Sequence, residues 1–221
     1  WIPDPDWLKA NLPPEAPVDA LFDRQKAALG FSLARKGALI QAPPGAGKTL
    51  VGLLWGLTQP GAVLFITRAK VRIHVARDAV RWLGLRSQVL EGETPKVLSD
   101  SRLVIASYEI LPHWLKVLQD WHPTSVIFDE IHRGGRSGKR YRRTIDGGFE
   151  PLKNVAHACM QISRSASRRL GMSATPQRDL PRDWWAVLDL VQPGEWGPKL
   201  KHTADRWHGF WVRYAGAHRC K

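Results

Sequence analysis

The sequence predicts an α/β domain whose mostly parallel sheet carries helices on both faces. Three observations predict it. Segments of strand character alternate with segments of helical periodicity from Ala38 to Leu190. Two of the strand segments, residues 62–66 and 125–128, are continuous apolar runs, the pattern of strands buried on both faces. A glycine-rich loop stands between a short apolar strand and a helix, as one βα unit.

Taken in order, residues 1–17 are rich in Pro and Asp and read as an irregular arm. The chain therefore divides into an N-terminal arm, 1–18, and a single lobe, 19–221. Asp19 is the expected N-cap of a helix over 20–35, which Gly37 ends. Residues 38–41 form a short strand. Residues 48–57 form a helix that Pro60-Gly61 breaks. The strand 62–66 follows. A helix over 71–83 then places Val71, Val75, Ala79 and Leu83 on one face. Short strands are expected at 87–90 and 103–106, and a helix over 109–118 with Pro112 near its start. The strand 125–128 runs into Asp129-Glu130. After a stretch rich in Gly and Arg (133–148) come a helix over 151–165, a strand at 169–172 and a helix over 182–190 stopped by Pro193-Gly194.

Composition narrows the function classes. With 221 residues and 43% hydrophobic content the chain supports one full core. A formal charge of +13 and a pI near 10.3 favour an acidic partner, of which nucleic acid is the commonest; a merely soluble basic surface is the plain alternative. Cys159 and Cys220 form no C-x-x-C pair, so a zinc site or disulfide framework is not expected, and a reducing intracellular setting is. That setting is the cytoplasm of a prokaryotic or phage-infected cell, or a nucleus. No apolar run reaches the roughly 18 residues of a membrane span, so no membrane partner is expected. The start does not read as a signal peptide, and with no initiator Met the chain reads as a piece of something longer.

The segment Ala42-Pro43-Pro44-Gly45-Ala46-Gly47-Lys48-Thr49, between a strand and a helix, reads as a phosphate loop; a Gly/Pro-rich loop that happens to carry Gly-Lys-Thr is the alternative. Small residues let backbone N–H groups curl around phosphate oxygens, and the helix N-terminus adds a favourable dipole. Lys48 is expected to reach the β- and γ-phosphates of ATP, and Thr49 to place its hydroxyl on Mg²⁺. Ala42 stands where the strict pattern has Gly. Asp129-Glu130 ends an apolar strand, at the sheet edge where ligands gather. Asp129 suits Mg²⁺ and Glu130 suits activation of the attacking water; an ordinary surface pair of acids is the alternative.

These residues carry a resemblance. Asp129-Glu130-Ile131-His132 resembles the D-E-x-H signature of superfamily 2 helicases, and other motifs fall in that family's order. The resemblance implies a RecA-like P-loop lobe with Lys48, Asp129, Glu130 and His132 in the catalytic centre and Thr49 and Asp129 as the metal ligands. It implies that Gln25, with Arg24 beside it, reads adenine, and that Pro44, Gly45, Ala46, Gly47, Lys48, Thr49 and Leu50 hold the nucleotide. It implies that Ser173, Ala174 and Thr175, in the S-A-T-P motif, couple hydrolysis to movement. Thr67, Arg68 and Lys70 after one strand, and Ser107 and Tyr108 after another, are similar to motifs that face the nucleic-acid backbone. Trp184-Trp185 to Pro193-Gly194, Ser137 to Tyr141, and Phe210 to Tyr214 with Cys220 are similar to segments of the Swi/Snf-type branch, which translocates on duplex DNA. That branch usually reads D-E-M-G-x-G-K-T at the phosphate loop, and this chain does not.

The resemblance also implies a second RecA-like lobe, in the same gene product or a partner chain, that supplies arginine fingers. This chain alone is expected to bind ATP and turn it over slowly. Arg133, Arg136, Lys139 and Arg140 follow the acidic motif, with Arg142 and Arg143 beyond them, and suit phosphate contacts; a solvated loop is the alternative. Two other functions stay open: a strand-separating DNA or RNA helicase, and a nucleotide-gated DNA-binding subunit without hydrolysis of its own. His74, Trp82, His157, Cys159, Met160 and Ile162 read as packing or surface groups.

Overall fold

A computed structural model describes residues 4–12, 14–58, 60–98, 100–134, 141–143, 149–151, 154–176 and 182–196. The centre is a six-stranded sheet in which every pairing is parallel. Its strands are β1 (Gly37–Gln41), β2 (Val63–Thr67), β3 (Gln88–Val89), β4 (Leu103–Ser107), β5 (Ser125–Asp129) and, after a separate hairpin, β8 (Arg168–Ser173). Their order across the sheet is β1-β8-β5-β2-β4-β3. The hairpin, β6 (Tyr141–Arg143) with β7 (Phe149–Pro151), is antiparallel; β6 lies in the stretch the sequence reads only as Gly/Arg-rich, and β7 takes Pro151, where a helix was expected to start, so that helix begins only at Val155.

Helices follow the strands as the alternation predicts: α2 (Asp23–Leu33), α3 (Lys48–Leu57), α4 (Arg72–Leu83), α5 (Leu111–Trp121), α6 (Val155–Ser165) and α7 (Arg182–Val191). The period of two along each strand builds two cores, one on each side of the sheet. On β2, Val63 and Phe65 enter the core that α2, α3 and α4 cover, while Leu64 and Ile66 enter the one shared with α5, α6 and α7. On β4 and β5, Leu103, Ile105 and Ile127 face the first core and Val104, Ala106, Val126 and Phe128 the second. This explains why these strands read as unbroken apolar runs. α3 lies close on the sheet because Gly52 and Gly56 face it: an added Cβ would stand 2.9 Å from Met172 and from Val63 respectively.

Three expectations are corrected. The N-terminal arm is not irregular: Pro5–Asn11 is a helix, α1, in which Asp4 accepts from the Asp6 N–H at 2.9 Å and Pro5 takes the first turn, where a missing N–H costs nothing. Its Leu8, with Leu12 and Val18 after it, is buried in the first core. Asp19 does not cap α2. The helix begins at Asp23, and the Phe22 N–H instead donates to Gln25 Oε1 at 2.9 Å. The side chain three residues into the helix thus reaches back to its start. The expected helix over 109–118 is a short 3₁₀ turn, Tyr108–Ile110, followed by α5, with Pro112 in its first turn.

Candidate functional site

Parallel strands bring their C-terminal ends to one edge, and five of them meet there. β1 opens into the phosphate loop, β2 ends at Thr67, β4 at Ser107, β5 at Asp129 and β8 at Ser173. The order of the sheet puts β8 and β5 between β1 and β2, so Ser173 pairs with Gln41 and Asp129 with Met172. The Ala42 N–H donates to the Ser173 carbonyl at 3.1 Å, which ties the entrance of the phosphate loop to the strand of the S-A-T-P motif.

The loop folds as a cradle. Gly45 and Gly47 hold φ of 76° and 78°, a region L side chains rarely adopt. A Cβ on Gly45 would point into open space, while one on Gly47 would clash with Gln25 Nε2. Gly47 is the N-cap of α3 and no side chain caps that helix, so its first amides, those of Lys48, Thr49 and Leu50, are left for a ligand. Lys48 Nζ donates to the carbonyls of Ala42 and Pro43 at 2.9 and 3.0 Å, which holds the ammonium over its own loop. Gln25 is buried against this loop, its Nε2 donating to the Ala46 carbonyl at 3.3 Å. Arg24 is exposed beside it, its guanidinium 5.1 Å from the Phe22 ring. Pro44 is exposed and Thr49 half-buried.

Asp129 is 8% exposed. Burial raises its carboxyl above the ordinary carboxylate value, and the neighbouring Glu130 adds to the rise. The hydrogen bond from Thr67 and the charges of Lys48 and Arg68 oppose it. Thr67 Oγ1 donates to Asp129 Oδ2 at 2.7 Å, and Tyr108 Oη donates to the Asp129 carbonyl at 2.9 Å. Thr67, Ser107 and Tyr108 therefore depart from the expected role. Their side chains are 0%, 1% and 2% exposed and offer no surface to a nucleic acid. Thr67 and Tyr108 instead brace the acidic motif. The sequence places them at strand ends but carries no signal for which way they turn, because the strands are buried on both faces.

Glu130 takes a left-handed conformation, φ 53°. Its carboxylate meets three groups: Arg68 Nη2 at 4.0 Å, His132 Nδ1 at 3.4 Å, and Ser173 Oγ, which donates at 3.1 Å. His132 Nδ1 lies 2.9 Å from the same Ser173 hydroxyl, and the Thr175 N–H donates to that hydroxyl at 3.1 Å. Glu130, His132, Ser173 and Thr175 thus form one connected chain, with Ala174 half-buried between the last two. Arg68 and Lys70 are exposed just beyond β2. Arg133 is held by Glu109 at 3.6 Å, across the ends of β5 and β4. Arg136, Lys139 and Arg140, residues 137–140 of the Ser137 to Tyr141 segment, the side chains of Tyr141, Arg142 and Arg143, and the tail from Phe210 to Tyr214 with Cys220 lie outside the described residues.

The donor set fits a hard divalent cation bound with a triphosphate. Mg²⁺ takes oxygen ligands and is usually held by one or two protein groups together with phosphates, and the residues that would hold it here are Thr49, through its hydroxyl, and Asp129, whose buried carboxylate is incompletely compensated. Among the described residues no three His, Cys, Asp or Glu side chains cluster as a metal cage, and an ion shared with phosphates needs none. No helix among the described residues is long and apolar enough to cross a membrane.

Residues 22–182 match the family described as DEAD/DEAH box helicase. Among solved structures, the chain is similar to the Sulfolobus solfataricus SWI2/SNF2 ATPase core in complex with dsDNA, with a TM-score of 0.68 and 16% identity over 97% of this chain and 41% of that one. It is also similar to the Sulfolobus solfataricus SWI2/SNF2 ATPase core domain, with a TM-score of 0.61 and 17% identity over 87% of this chain and 37% of that one. It spans well under half the length of either, and the likeness is one of fold, a RecA-like α/β lobe. No curated protein sequence matches the chain.

Proposed function

The chain belongs to the DEAD/DEAH box helicase family, and from that premise we propose that it is the first motor lobe of an ATP-driven translocase on duplex DNA, hydrolysing ATP with Mg²⁺ when paired with a second RecA-like lobe. One observation carries the proposal. Lys48 and Asp129, far apart in the chain, come to one sheet edge: Lys48 opens α3 just beyond β1, Asp129 ends β5, and only β8 lies between those strands. A cation for phosphate and a carboxylate for metal, beside uncapped helix amides, make a triphosphate site.

Lys48 binds the terminal phosphates, and the amides of α3 cradle them. Thr49 and Asp129 hold the metal ion; when bound, it neutralises charge that develops on the transferred phosphoryl group. Glu130 accepts the proton of the attacking water, and the Ser173 hydroxyl and His132 orient its carboxylate. Through Ser173 and Thr175 the same chain reaches the segment expected to move with a second lobe. Gln25 keeps one amide hydrogen and one lone pair for an adenine edge, beyond its bonds to Ala46 and Phe22. Arg68 and Lys70 are suited to backbone phosphates, and Arg136, Lys139 and Arg140 would extend that path. The Sulfolobus core bound to dsDNA supports a duplex as the track.

The test is binding of a fluorescent ATP analogue with and without Mg²⁺ to the native chain and to the Lys48→Ala and Asp129→Ala variants. Lys48→Ala is expected to weaken binding in both conditions, and Asp129→Ala only in the presence of Mg²⁺. Equal affinities in all three proteins would overturn the proposal.

A further inference from the structure

The end of the sheet opposite the phosphate loop holds a cleft of about 640 Å³ that the motor chemistry leaves unused. The starts of β1 and β8, at Gly37 and Arg169, contribute to its lining. The end of α7, at the buried Val191, and the turn after it form a wall whose apolar face is Pro193 and Trp196. That wall is tied to the body: Ser163 Oγ donates to the Leu190 carbonyl at 2.6 Å, Gln192 Nε2 to the Gly37 carbonyl at 3.4 Å, and Trp185 Nε1 to the Trp196 carbonyl at 3.2 Å. The cleft is therefore pre-formed, as ligand sites usually are.

Arg35, Lys36, Arg164 and Arg169 line it against a single acid, Glu195, and Arg168 adjoins them. Among the described residues none of these five cations makes an ion pair. Arg168 Nη2 donates to the carbonyls of Leu33 and Arg35 at 2.7 and 3.0 Å, and Arg169 donates to those of Ser163 and Ala166. Carbonyls fix the guanidinium planes without cancelling their charge. Burial lowers the pKa of both arginines, the mark of cations partly withdrawn from water with no counter-charge. Arg35, Lys36 and Arg164 stand exposed at the rim. A concave, low-dielectric surface of one sign focuses its field on an incoming anion.

We propose that this cleft docks an acidic segment of a partner protein, an extended stretch with several carboxylates beside an apolar side chain. Arginines at the rim and floor offer the paired donors that match carboxylates. Pro193 and Trp196, both half-buried, offer apolar contact that a sugar–phosphate backbone would not use. Five-residue strands separate the cleft from the nucleotide edge by about 17 Å, so occupant and nucleotide bind without overlap. The inference does not depend on the motor function.

The test is fluorescence anisotropy of a short labelled Glu-Leu peptide with the native chain and with a variant carrying Arg35→Glu, Lys36→Glu and Arg164→Glu. The reversal is expected to weaken the peptide by about a hundredfold, since charges that attracted it now repel. The affinity for an ATP analogue and the melting temperature are expected to hold. A control that reverses Arg77, Arg81 and Arg86 on and after α4 is expected to leave the peptide bound. Equal loss in the control, or no loss in the cleft variant, would overturn the proposal. So would a single-stranded oligonucleotide that needs the three rim cations while the peptide does not bind.

Discussion

Replacing Thr67 by Val removes one hydroxyl and almost no volume. The hydroxyl donates to Asp129 Oδ2 at 2.7 Å, and both side chains are buried. A hydrogen bond to a charged group contributes about 1.5–3 kcal/mol, and at about 1.4 kcal/mol per decade that is roughly a tenfold to hundredfold effect. The bond favours the ionised carboxylate, so its loss moves the Asp129 carboxyl further up from an already raised value. Ionised Asp129 is the form that would hold Mg²⁺ in the proposed site. The Mg²⁺-dependent part of nucleotide affinity is therefore expected to fall by about ten- to a hundredfold, while binding through Lys48 and the loop amides persists without metal. The assay is a Mg²⁺ titration of a fluorescent ATP analogue, run beside thermal melting. An unchanged Mg²⁺ dependence would refute the reasoning. An equal loss of metal-free binding would as well, because it would place the defect in the fold instead of the carboxylate.

Three further outcomes are expected. Because burial raises the Asp129 carboxyl in the folded, nucleotide-free chain above its unfolded value, its contribution to stability is full below the unfolded value and lost as pH rises through the folded one. Asp129→Asn should thus raise the melting temperature at neutral pH with no gain at low pH, and Mg²⁺-dependent binding by the native chain should weaken on acidification; melting curves and titrations across pH check both. Gly47→Ala should destabilise by more than the roughly 1–2 kcal/mol of a left-handed alanine, because it also displaces Gln25, whereas Gly45→Ala should show about that conformational cost alone; chemical unfolding of the pair compares them. Tyr108→Phe leaves a buried carbonyl of Asp129 without its donor, and should cost about 1–3 kcal/mol, or roughly 2–4 °C of melting temperature per kcal/mol.

The helix after the phosphate loop was legible to the residue, Lys48 to Leu57, because a glycine opens it and Pro60-Gly61 stops it. The parallel sheet was legible because β2 and β5 are apolar on both faces, which an α/β layer alone explains. α1 was missed although its signal was present: Asp4-Pro5 is a cap followed by a proline in the first turn, and the Pro-rich surroundings masked it. The start of α2 was misplaced because Asp19 is a better capping residue than Phe22, and a Gln side chain did the work from inside the helix. The phosphate loop and the acidic strand end could be named from spacing. The inward turn of Thr67 and Tyr108 could not, since burial on both faces removes the alternation that would reveal it. The basic cleft was invisible in sequence because its cations come from the end of α2, the end of α6 and the start of β8.

Glu130 occupies a backbone region that suits glycine or asparagine, at a cost of about 1–2 kcal/mol. A laboratory selection that rewards heat resistance alone would therefore enrich Gly or Asn at this position and discard the proposed general base in the same step. Any programme of thermal improvement on this chain has to hold position 130 constant and find its gains elsewhere, because here ruggedness and turnover pull on one residue in opposite directions.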